Sequence, residues 1–336
     1  MTELPAGYTA RPVRPDDDVQ ALMRLQNAVS MADWGVGEVD ERLAREPYNL
    51  PSFNVERDSW LVHDADGEAA GLVEYYDGDE LHVAPYVFLR VRPDLAATHL
   101  TEALLDWAAR RAPENLPQAP DGARVATSTD VASVNRAVIG ALERNGWRHD
   151  RTMWIMEIDL VAAAPLPEPA WPDGITVRTA NLDDDARAIH ATVTDAFSDH
   201  YGFVPQPYEE WIHFRTRFFE PEPDLWFLAM DGDEIAATSL CSSKRPAEPD
   251  LGWVSTLGVR RQWRRRGLGL ALLQHSFRVL AERGVPRAGL GVDAQSLTGA
   301  TALYEKAGMR VVREAYEYER VIREGRDLRT TELASS

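Results

Sequence analysis

The chain has 336 residues, of which 44% are hydrophobic and 27% are charged, and its formal net charge is −18. This length suits two domains of ordinary size, each able to bury its own core. The acidic balance argues against general binding to nucleic acids or anionic membranes. The N-terminus has no basic region followed by an apolar run, and no stretch approaches the ~18 apolar residues of a membrane span. The sequence therefore predicts a cytoplasmic protein without a signal peptide.

Cysteine and histidine usage gives no sign of a disulfide or a metal site. Cys241 is the only cysteine of the chain, so it cannot form an internal disulfide. Cysteines and histidines nowhere have the spacing of metal ligands. We therefore predict that no metal is bound and that Cys241 is a small strand residue.

An internal repeat organises the chain, because its two halves match at a shift near 167 residues. Arg11 with Asp16–Asp18 falls on Arg178 with Asp183–Asp185. Each set precedes a helical pattern in which aspartate can cap the first turn. The two helical patterns cover residues 19–28 and 186–197.

The match continues through the segments that follow. Both copies have a strand that begins with Trp, a tight turn rich in aspartate and a second strand, in the regions starting at Trp60 and Trp226. Val91 then falls on Val259, and the segment 141–147 falls on 303–309. The chain is therefore predicted to be two copies of one α/β unit.

A proline-rich segment separates the two copies. Prolines at 165, 167, 169 and 172 cannot hold regular structure, so this segment is predicted to be a semi-rigid linker. The predicted domains are therefore a first domain at 1–164, the linker at 165–174 and a second domain at 175–325. A polar C-terminal tail at 326–336 is expected to be frayed.

The second copy contains a stretch suited to binding an anion. A strand that ends at Val259 leads into a basic turn, Arg264-x-x-Gly267-x-Gly269, and then into a helix. Glycine lets the backbone approach a ligand closely, and the unpaired N–H groups at the start of a helix attract phosphate. The turn lacks the Gly-Lys-Ser/Thr of a P-loop and the three glycines of a dinucleotide fingerprint. The alternative is a solvated basic turn before an ordinary amphipathic helix.

In this context the turn resembles the acetyl-CoA loop of the GNAT family of acyl-CoA-dependent N-acyltransferases, which reads Arg/Gln-x-x-Gly-x-Gly/Ala. The later segment Leu-Tyr-Glu-Lys-Ala-Gly-Met at 303–309 looks like the closing Leu-Tyr-x-x-x-Gly-Phe of that family. Within the family, the tandem arrangement is similar to the mycothiol synthase type of acetyltransferase. The resemblance implies an α/β fold of two tandem GNAT-type domains, each with a mixed central β-sheet flanked by α-helices.

The resemblance also implies a site for acetyl-CoA, the co-substrate, in the second domain. The pantetheine arm would lie in an opening between the strand that ends near Val259 and the strand at 289–293. Backbone groups of Leu257 and Val259 would pair with the arm, and an N–H of the segment Leu257-Gly258-Val259 would polarise the thioester carbonyl. Ser296 would contact the arm or a water. The pyrophosphate would bind the turn, which consists of Arg264, Arg265, Arg266, Gly267, Leu268 and Gly269.

Tyr304 is the predicted general acid, because a phenol with a pKa near 10 is protonated at neutral pH and can stabilise a thiolate. Its alternative role is that of a half-buried packing tyrosine. Asp199 and His200, in a loop after the first helix of the second domain, are the candidate bases, or else surface polar residues at a helix end. The mycothiol synthase type has an acidic residue on the strand before the loop, where this chain has Trp253.

The first copy lacks the residues that this chemistry needs. Ala96, His99 and Thr101 stand at the counterparts of the arginine and the two glycines of the turn, and Leu142 stands at that of the tyrosine. We therefore expect a degenerate first domain that cannot catalyse. Retained binding of CoA by that domain is the alternative.

The sequence thus predicts an acetyl-CoA-dependent N-acetyltransferase that acts on a primary amine of a small metabolite by direct attack. The alternatives are a peptide or protein N-acetyltransferase and a non-catalytic acyl-CoA-binding module. Nucleic-acid binding is suggested only by the arginine run of the turn. We expect a monomer or a homodimer with no nucleic-acid or membrane partner.

Overall fold

The computed structural model describes residues 4–163, 165–218, 220–245 and 248–332. The chain forms two compact units. The first unit consists of Met1–Thr152, Val204–Phe219 and Ala315–Arg329, and the second of Met153–Phe203, Glu220–Glu314 and Thr330–Ser336. This division differs from the single boundary near residue 165 that the proline-rich segment predicts.

The first half of the sequence alternates strands and helices in the order expected of one repeat. Its strands are β1 (Thr9–Arg11), β2 (Ser59–His63), β3 (Ala69–Tyr76), β4 (Tyr86–Val91), β5 (Val125–Ala132) and β6 (Arg148–Asp159). Its helices are α1 (Val19–Trp34), α2 (Glu41–Arg45), α3 (Val55–Asp58), α4 (His99–Arg111) and α5 (Arg136–Arg144).

The second half repeats this order. Its strands are β7 (Ile175–Thr179), β8 (Trp226–Asp231), β9 (Glu234–Ser242), β10 (Leu251–Val259), β11 (Arg287–Asp293) and β12 (Arg310–Arg323). Its helices are α6 (Leu182–Phe197), α7 (Tyr208–His213), α8 (Leu268–Glu282) and α9 (Ala300–Lys306). Helix α7 belongs by its packing to the first unit.

Each unit is built on a mixed sheet. In the first unit the strands follow one another as β1-β2-β3-β4-β5-β12, and in the second as β7-β8-β9-β10-β11-β6. Only the β4–β5 and β10–β11 pairs are parallel among these pairings; the others are antiparallel. The predicted fold class, two tandem α/β domains with mixed central sheets and flanking helices, is confirmed.

The sixth strand of each sheet comes from the other half of the sequence. Residues Ala315–Arg323 of β12 pair with β5 in the first unit, and residues Met153–Asp159 of β6 pair with β11 in the second. The repeat could not reveal this exchange, because both halves contain a strand at this point and the pattern does not show which sheet it joins.

A half-buried ion pair marks the repeat in both units. In the first, Arg11 donates from Nη1 and Nη2 to Asp18 at 2.6 and 2.7 Å, and in the second Arg178 makes the same two bonds to Asp185 at the same distances. The backbone N–H three residues after each arginine also donates to that carboxylate. The sequence pattern predicted that aspartates cap these helices. Asp18 and Asp185 instead bind the arginines. The cap of α6 is the side chain of Asn181.

Helix α8 covers the second sheet with one apolar face. Its buried residues recur at the helical period, at Leu268, Ala271, Leu272, Leu273, Ser276, Phe277 and Leu280. Its leucines and Phe277 among these belong to a core cluster with residues of β8, β9, β10 and β11. Cys241 lies buried in β9, as predicted for a small strand residue. This packing fixes where α8 begins, directly after the basic turn.

The C-terminal tail is anchored as far as the structure describes it, contrary to the expected fraying. Arg329, which is 9% exposed at its side chain, donates to Glu319 at 2.7 Å and pairs with Asp327. The backbone of Arg326 bonds to Gly122 at 2.9 Å. Residues 333–336 lie outside the described residues. In the part of the chain that is described, no helix combines the length and apolar character needed to span a bilayer.

Candidate active site

The second sheet opens between its two parallel strands. Residues Leu251–Trp253 of β10 pair with Arg287–Gly289 of β11. Beyond this point β10 continues beside β9 alone, and β11 continues beside β6. A register shift in β10 between Val254 and Thr256 lies at the start of the opening. The predicted parting of these strands is confirmed, and it leaves one edge of each strand without a strand partner among the described residues.

The backbone of Leu257 and Val259 points into this opening. The N–H of Arg260 donates to Ala236 of β9 at 3.0 Å, so the alternation of an antiparallel ladder turns Gly258 and Arg260 towards β9. Leu257 and Val259 then face the other way. An edge of this kind can add an extended ligand as a further strand.

Gly258 has a packing role. A Cβ atom at this position would lie 3.0 Å from Cβ of Ala196 and 3.1 Å from the ring of Phe197. The missing side chain therefore lets the end of α6 lie close to β10. This contact brings the loop that follows α6, which carries Asp199 and His200, to the border of the opening.

The turn before α8 leaves the N-terminus of this helix open. Arg265 and Gly267 both have positive φ, at 60° and 83°, and Gly267 is the N-cap residue. No side chain caps α8, and its first turn contains no acidic residue. Because the first N–H groups of a helix have no intrahelical partner, they are available to an anion together with the positive end of the helix dipole.

The two glycines of the turn serve different purposes. A side chain on Gly267 would meet nothing within 4 Å, so its glycine is required by the left-handed backbone. A Cβ atom on Gly269 would lie 3.2 Å from Leu303 and 3.4 Å from Val259, so its glycine is required by close packing. Leu268, between them, is 2% exposed and belongs to the core.

The three arginines of the turn differ in their contacts. Arg264 donates from Nε to the Val259 carbonyl at 3.0 Å, from Nη1 to Asp199 at 2.5 Å and from Nη2 to the Ala196 carbonyl at 2.8 Å. Arg265 and Arg266 are exposed, and neither has an ion pair or hydrogen bond with any residue that the structure describes. Arg265 and Arg266 are therefore the arginines free to meet phosphate, whereas Arg264 is held by the protein.

Asp199 is a poor candidate for a base. It is 4% exposed and lies between Arg264 and Arg261, whose Nη2 also contacts the carboxylate. Hydrogen bonds from Arg261 and Arg264 hold the pKa of the Asp199 carboxyl below its usual value. A carboxylate that two guanidinium groups neutralise binds a proton weakly. The geometry therefore corrects the expectation that Asp199 accepts a proton from the amine.

His200 keeps the properties of a base. Its ring packs on Phe197 with 4.3 Å between ring centroids. Burial lowers the pKa of His200 below its ordinary value, and the Arg264 guanidinium acts in the same direction, while Asp199 and Asp293 oppose it. The imidazole is therefore neutral at pH 7 and able to accept a proton. Thr330 fixes this loop through bonds to Ser198 and Gly202.

Tyr304 lies in α9 beside the core of the second unit. It is 9% exposed, and its hydroxyl makes no hydrogen bond to the described residues. Burial raises the pKa of Tyr304 to about 12. The phenol is therefore protonated at neutral pH, but it is a weaker acid than its ordinary pKa implies. It is better suited to donate a hydrogen bond to a thiolate than to transfer its proton completely.

Two further positions complete the border of the site. The Ser296 hydroxyl lies 3.1 Å from Oγ1 of Thr298 and accepts from the N–H of Ala300 at 3.4 Å, so local contacts already use it. Trp253 is the last residue of β10 that pairs with β11. The Arg245 guanidinium lies 4.4 Å from its ring centroid. The described residues contain no group of three or more His, Cys, Asp or Glu arranged to hold a metal ion.

Comparison with known proteins places this architecture in a family. Residues 187–309, which run from α6 to α9, match the family described as Acetyltransferase (GNAT) family. The crystal structure of a GCN5-related N-acetyltransferase from Sphaerobacter thermophilus is 32% identical, with a TM-score of 0.77, and the match covers 98% of this chain and 100% of that one. The chain belongs to the GCN5-related N-acetyltransferase family.

Two curated relatives have the same name. A mycothiol acetyltransferase of Streptomyces bingchenggensis is 36% identical over 44% of this chain and 46% of its own length. A mycothiol acetyltransferase of Thermobispora bispora is 28% identical over 87% of this chain and 92% of its own length. The match to the first of these relatives thus spans about half of that protein. GNAT enzymes use acetyl-CoA as a co-substrate.

Sequence reasoning missed the contacts of Asp199. Asp199 and Arg264 are 65 residues apart and touch only in the folded unit. One signal was available: the counterpart of Asp199 is Ala32 at the shift of 167 that aligns α1 with α6, and the counterpart of Arg264 is Ala96 at the shift of 168 that aligns α4 with α8. Both partners of the pair are therefore alanine in the first copy.

Proposed function

We propose that the second unit transfers the acetyl group of acetyl-CoA to a primary amine of a small metabolite. The observation that carries this proposal is the uncapped start of α8, with its exposed Arg265 and Arg266, beside the opening between β10 and β11. A diphosphate ester with an extended, amide-containing arm has the chemistry to match both features. The N–H groups and guanidinium forks suit the diphosphate, and the free strand edge suits the arm.

Leu257 and Val259 supply the backbone groups for the arm in this proposal. The Val259 carbonyl already accepts from Arg264, so the N–H groups of this edge are its freer members. An N–H that faces the opening would stabilise the oxyanion which forms when the thioester carbonyl is attacked. Ser296 remains a proposed contact of the arm, and Gly258 is proposed to act through packing.

The proposed reaction forms a nitrogen–carbon bond, breaks a carbon–sulfur bond and moves a proton from the amine to the sulfur. The neutral amine nitrogen attacks the thioester carbonyl carbon, and the resulting intermediate collapses with cleavage of the carbon–sulfur bond. The attacking nitrogen loses a proton to His200, directly or through a water. The CoA thiolate leaves beside Tyr304, whose hydroxyl donates a hydrogen bond to the sulfur. The sulfur then takes up one proton, which the protonated His200 returns directly or through solvent, and CoA is released as the free thiol.

The acceptor is proposed to be a small amine, because two relatives are named mycothiol acetyltransferase. One is matched over about half of its length and the other over almost all of it. Trp253 stands where the mycothiol synthase type has an acidic residue, so we propose an amine that is related to the acceptor of those enzymes but differs from it. A peptide or protein amine is the second candidate acceptor. We propose a cytoplasmic location and catalysis by the second unit only.

A calorimetric titration with acetyl-CoA tests this function, followed by an assay of thiol release with a panel of amino sugars, aminoglycosides and peptides. We expect one site per chain and amine-dependent release of CoA with a small amine. Two sites per chain would show that the first unit also binds the cofactor. Absence of binding would overturn the proposal. Binding without turnover on any amine would favour an acyl-CoA-binding module.

A further inference from the structure

The end of α6, the end of β10 and the basic turn meet at one buried carboxylate. Asp199, which is 4% exposed, contacts Arg264 at the start of the turn and Arg261, three residues before it. We infer that Asp199 is a positioning residue for the cofactor, holding the turn in its binding shape through Arg264. This inference rests on the proposed binding of acetyl-CoA by the second unit.

Arg264 is directed entirely towards the protein. Its three hydrogen bonds run to a strand carbonyl, to the carboxylate of Asp199 and to a helix carbonyl, and use all three nitrogens of the guanidinium. A planar fork bound at three nitrogens has one orientation. The backbone from Arg264 to Gly267 must then begin at a fixed point. That point sets where the free N–H groups of the turn and the first turn of α8 lie.

The Ala196 carbonyl that Arg264 binds is one of the last carbonyls of α6. Such carbonyls have no intrahelical partner and carry the negative end of the helix dipole, so a guanidinium there is doubly favourable. Asp199 lies three residues farther along and completes the charge balance. Arg261, Asp199 and Arg264 together form a clamp that joins the loop of His200 to the turn that faces the phosphates.

The repeat provides an internal comparison. At the shift of 167 that aligns α1 with α6, Asp199 corresponds to Ala32. At the shift of 168 that aligns α4 with α8, Arg264 corresponds to Ala96 and Arg261 to Pro93. All three members are replaced in the unit whose turn has no glycine, whereas the Arg11–Asp18 and Arg178–Asp185 pair is kept in both units. A pair needed only for the fold of the repeat would be expected in both copies. The clamp instead accompanies the open turn.

Two effects of removing the Asp199 charge oppose each other. Loss of a carboxylate near the turn makes the site more positive and would by itself favour a phosphate ligand. Loss of the anchor releases Arg264 and the residues of the turn, which must then be ordered when the ligand binds. The conformational entropy lost when several residues are ordered outweighs the favourable effect of removing one negative charge, which salt and solvent screen from the phosphate. The inference therefore predicts weaker binding.

The test compares Asp199→Asn with Asp195→Asn in the full chain. Asp195 lies near the end of α6, four residues before Asp199, and pairs with Arg260 at 2.7 Å, outside the turn, so it is a matched control. We expect Asp199→Asn to raise the Kd and KM for acetyl-CoA by about tenfold or more, with kcat at saturation and the pH profile unchanged. Asp195→Asn should behave as the wild type does.

Several outcomes would overturn the inference. A lower kcat or a shifted pH profile at unchanged Kd would make Asp199 a base, and tighter binding would show that its charge only repels the ligand. Unchanged constants would leave the clamp without a role. If Asp199→Asn does not fold, Arg264→Lys and Arg261→Gln must each raise the Kd for acetyl-CoA. The rise should be smaller for Arg261→Gln, because Arg261 is 59% exposed. A wild-type chain that binds no acetyl-CoA would instead refute the proposed function.

Discussion

The starts of α4 and α8 occupy the same place in the two copies but are finished in opposite ways. At α4 the Thr98 side chain accepts from the N–H of Leu100 at 3.3 Å, and Thr101 donates to the Ala96 carbonyl at 2.9 Å. Glu102 adds a negative charge to the first turn. At α8 there is no side-chain cap and no acidic residue. Side chains of the first unit thus compensate the start of α4, whereas the first backbone N–H groups of α8 in the second unit remain available to a ligand.

The comparison teaches that the same fold can keep or lose an anion site through a few side chains. Thr101 is fully buried at the position where the second unit has Gly269. Its hydroxyl closes the turn on itself, while Gly269 makes room for Leu303 and Val259. The alternative that the first unit retains a phosphate site of this type finds no support in this geometry.

The largest effect is expected from Gly267→Glu. This residue has φ of 83°, so a side chain strains the turn, and a carboxylate there would repel phosphate at the start of α8. We expect the affinity for acetyl-CoA to fall by more than about 100-fold, equal to roughly 3 kcal/mol. The matched control is His99→Glu at the counterpart position of the first unit, which is 90% exposed at its side chain. Calorimetry on both variants measures the difference, and weakened binding in the control would break the comparison.

Next in size is the effect of His200→Gln. Burial lowers the pKa of His200, so the neutral base is already formed at pH 7 and is lost only as pH falls through a value below 6.5. We expect kcat/KM of the wild type to be level near neutrality and to decline on the acidic side. The variant should lose about 100-fold in kcat/KM together with this decline.

The control for that experiment is His275→Gln. Burial also lowers the pKa of His275, but its ring packs on Phe227 in the core, 4.7 Å between centroids. Its pH profile should remain that of the wild type. An acidic limb centred above pH 7, or one that survives in His200→Gln, would assign the base to another group.

A smaller effect is expected from Tyr304→Phe. Since burial raises the pKa of Tyr304 to about 12, the lost contribution is a hydrogen bond to the leaving thiolate and not a full proton transfer. Such a bond to a charged group corresponds to roughly a 10- to 100-fold fall in kcat, with the Kd for acetyl-CoA unchanged. Single-turnover kinetics separates the two constants. Tyr318→Phe, in the first unit, is the control, and an unchanged kcat in Tyr304→Phe removes this tyrosine from the mechanism.

The smallest effect concerns the ion pair that both units share. Asp18→Asn and Asp185→Asn each remove a doubly hydrogen-bonded carboxylate, whose arginine partners are 31% and 45% exposed. Solvent screening limits the loss, so we expect each change to lower the free energy of unfolding by about 1 kcal/mol. Denaturant unfolding measures both. A large fall in acetyl-CoA affinity in either variant would mean that this pair too belongs to the site.

Much of the fold followed from the sequence because its signals are local or periodic. The helices, the strand-turn-strand segments and the glycine turn depend on residues close together in the chain, and the repeat showed each of them twice. The parting of β10 from β11 came from the family resemblance. The turn was recognisable because Arg264, Gly267 and Gly269 form a motif within six residues, directly before a helix.

The remaining features depend on contacts between distant residues. Asp199 and His200 are neighbours in sequence with equal claims to be a base, and only the folded chain puts two guanidinium groups on one and a phenylalanine ring on the other. The anchoring of Arg329 by Glu319 and Asp327 was likewise hidden in a segment that reads as a polar tail. Composition reports such residues as surface charges.

The exchange of β6 and β12 has a consequence for how the chain is made. As the polypeptide leaves the ribosome, β5 is complete early, but the strand that covers its free edge is synthesised only after the strands and helices of the second unit. During that interval the first sheet presents an open edge, which can pair wrongly with other nascent chains. The first unit is thus the earlier to begin folding and the later to finish.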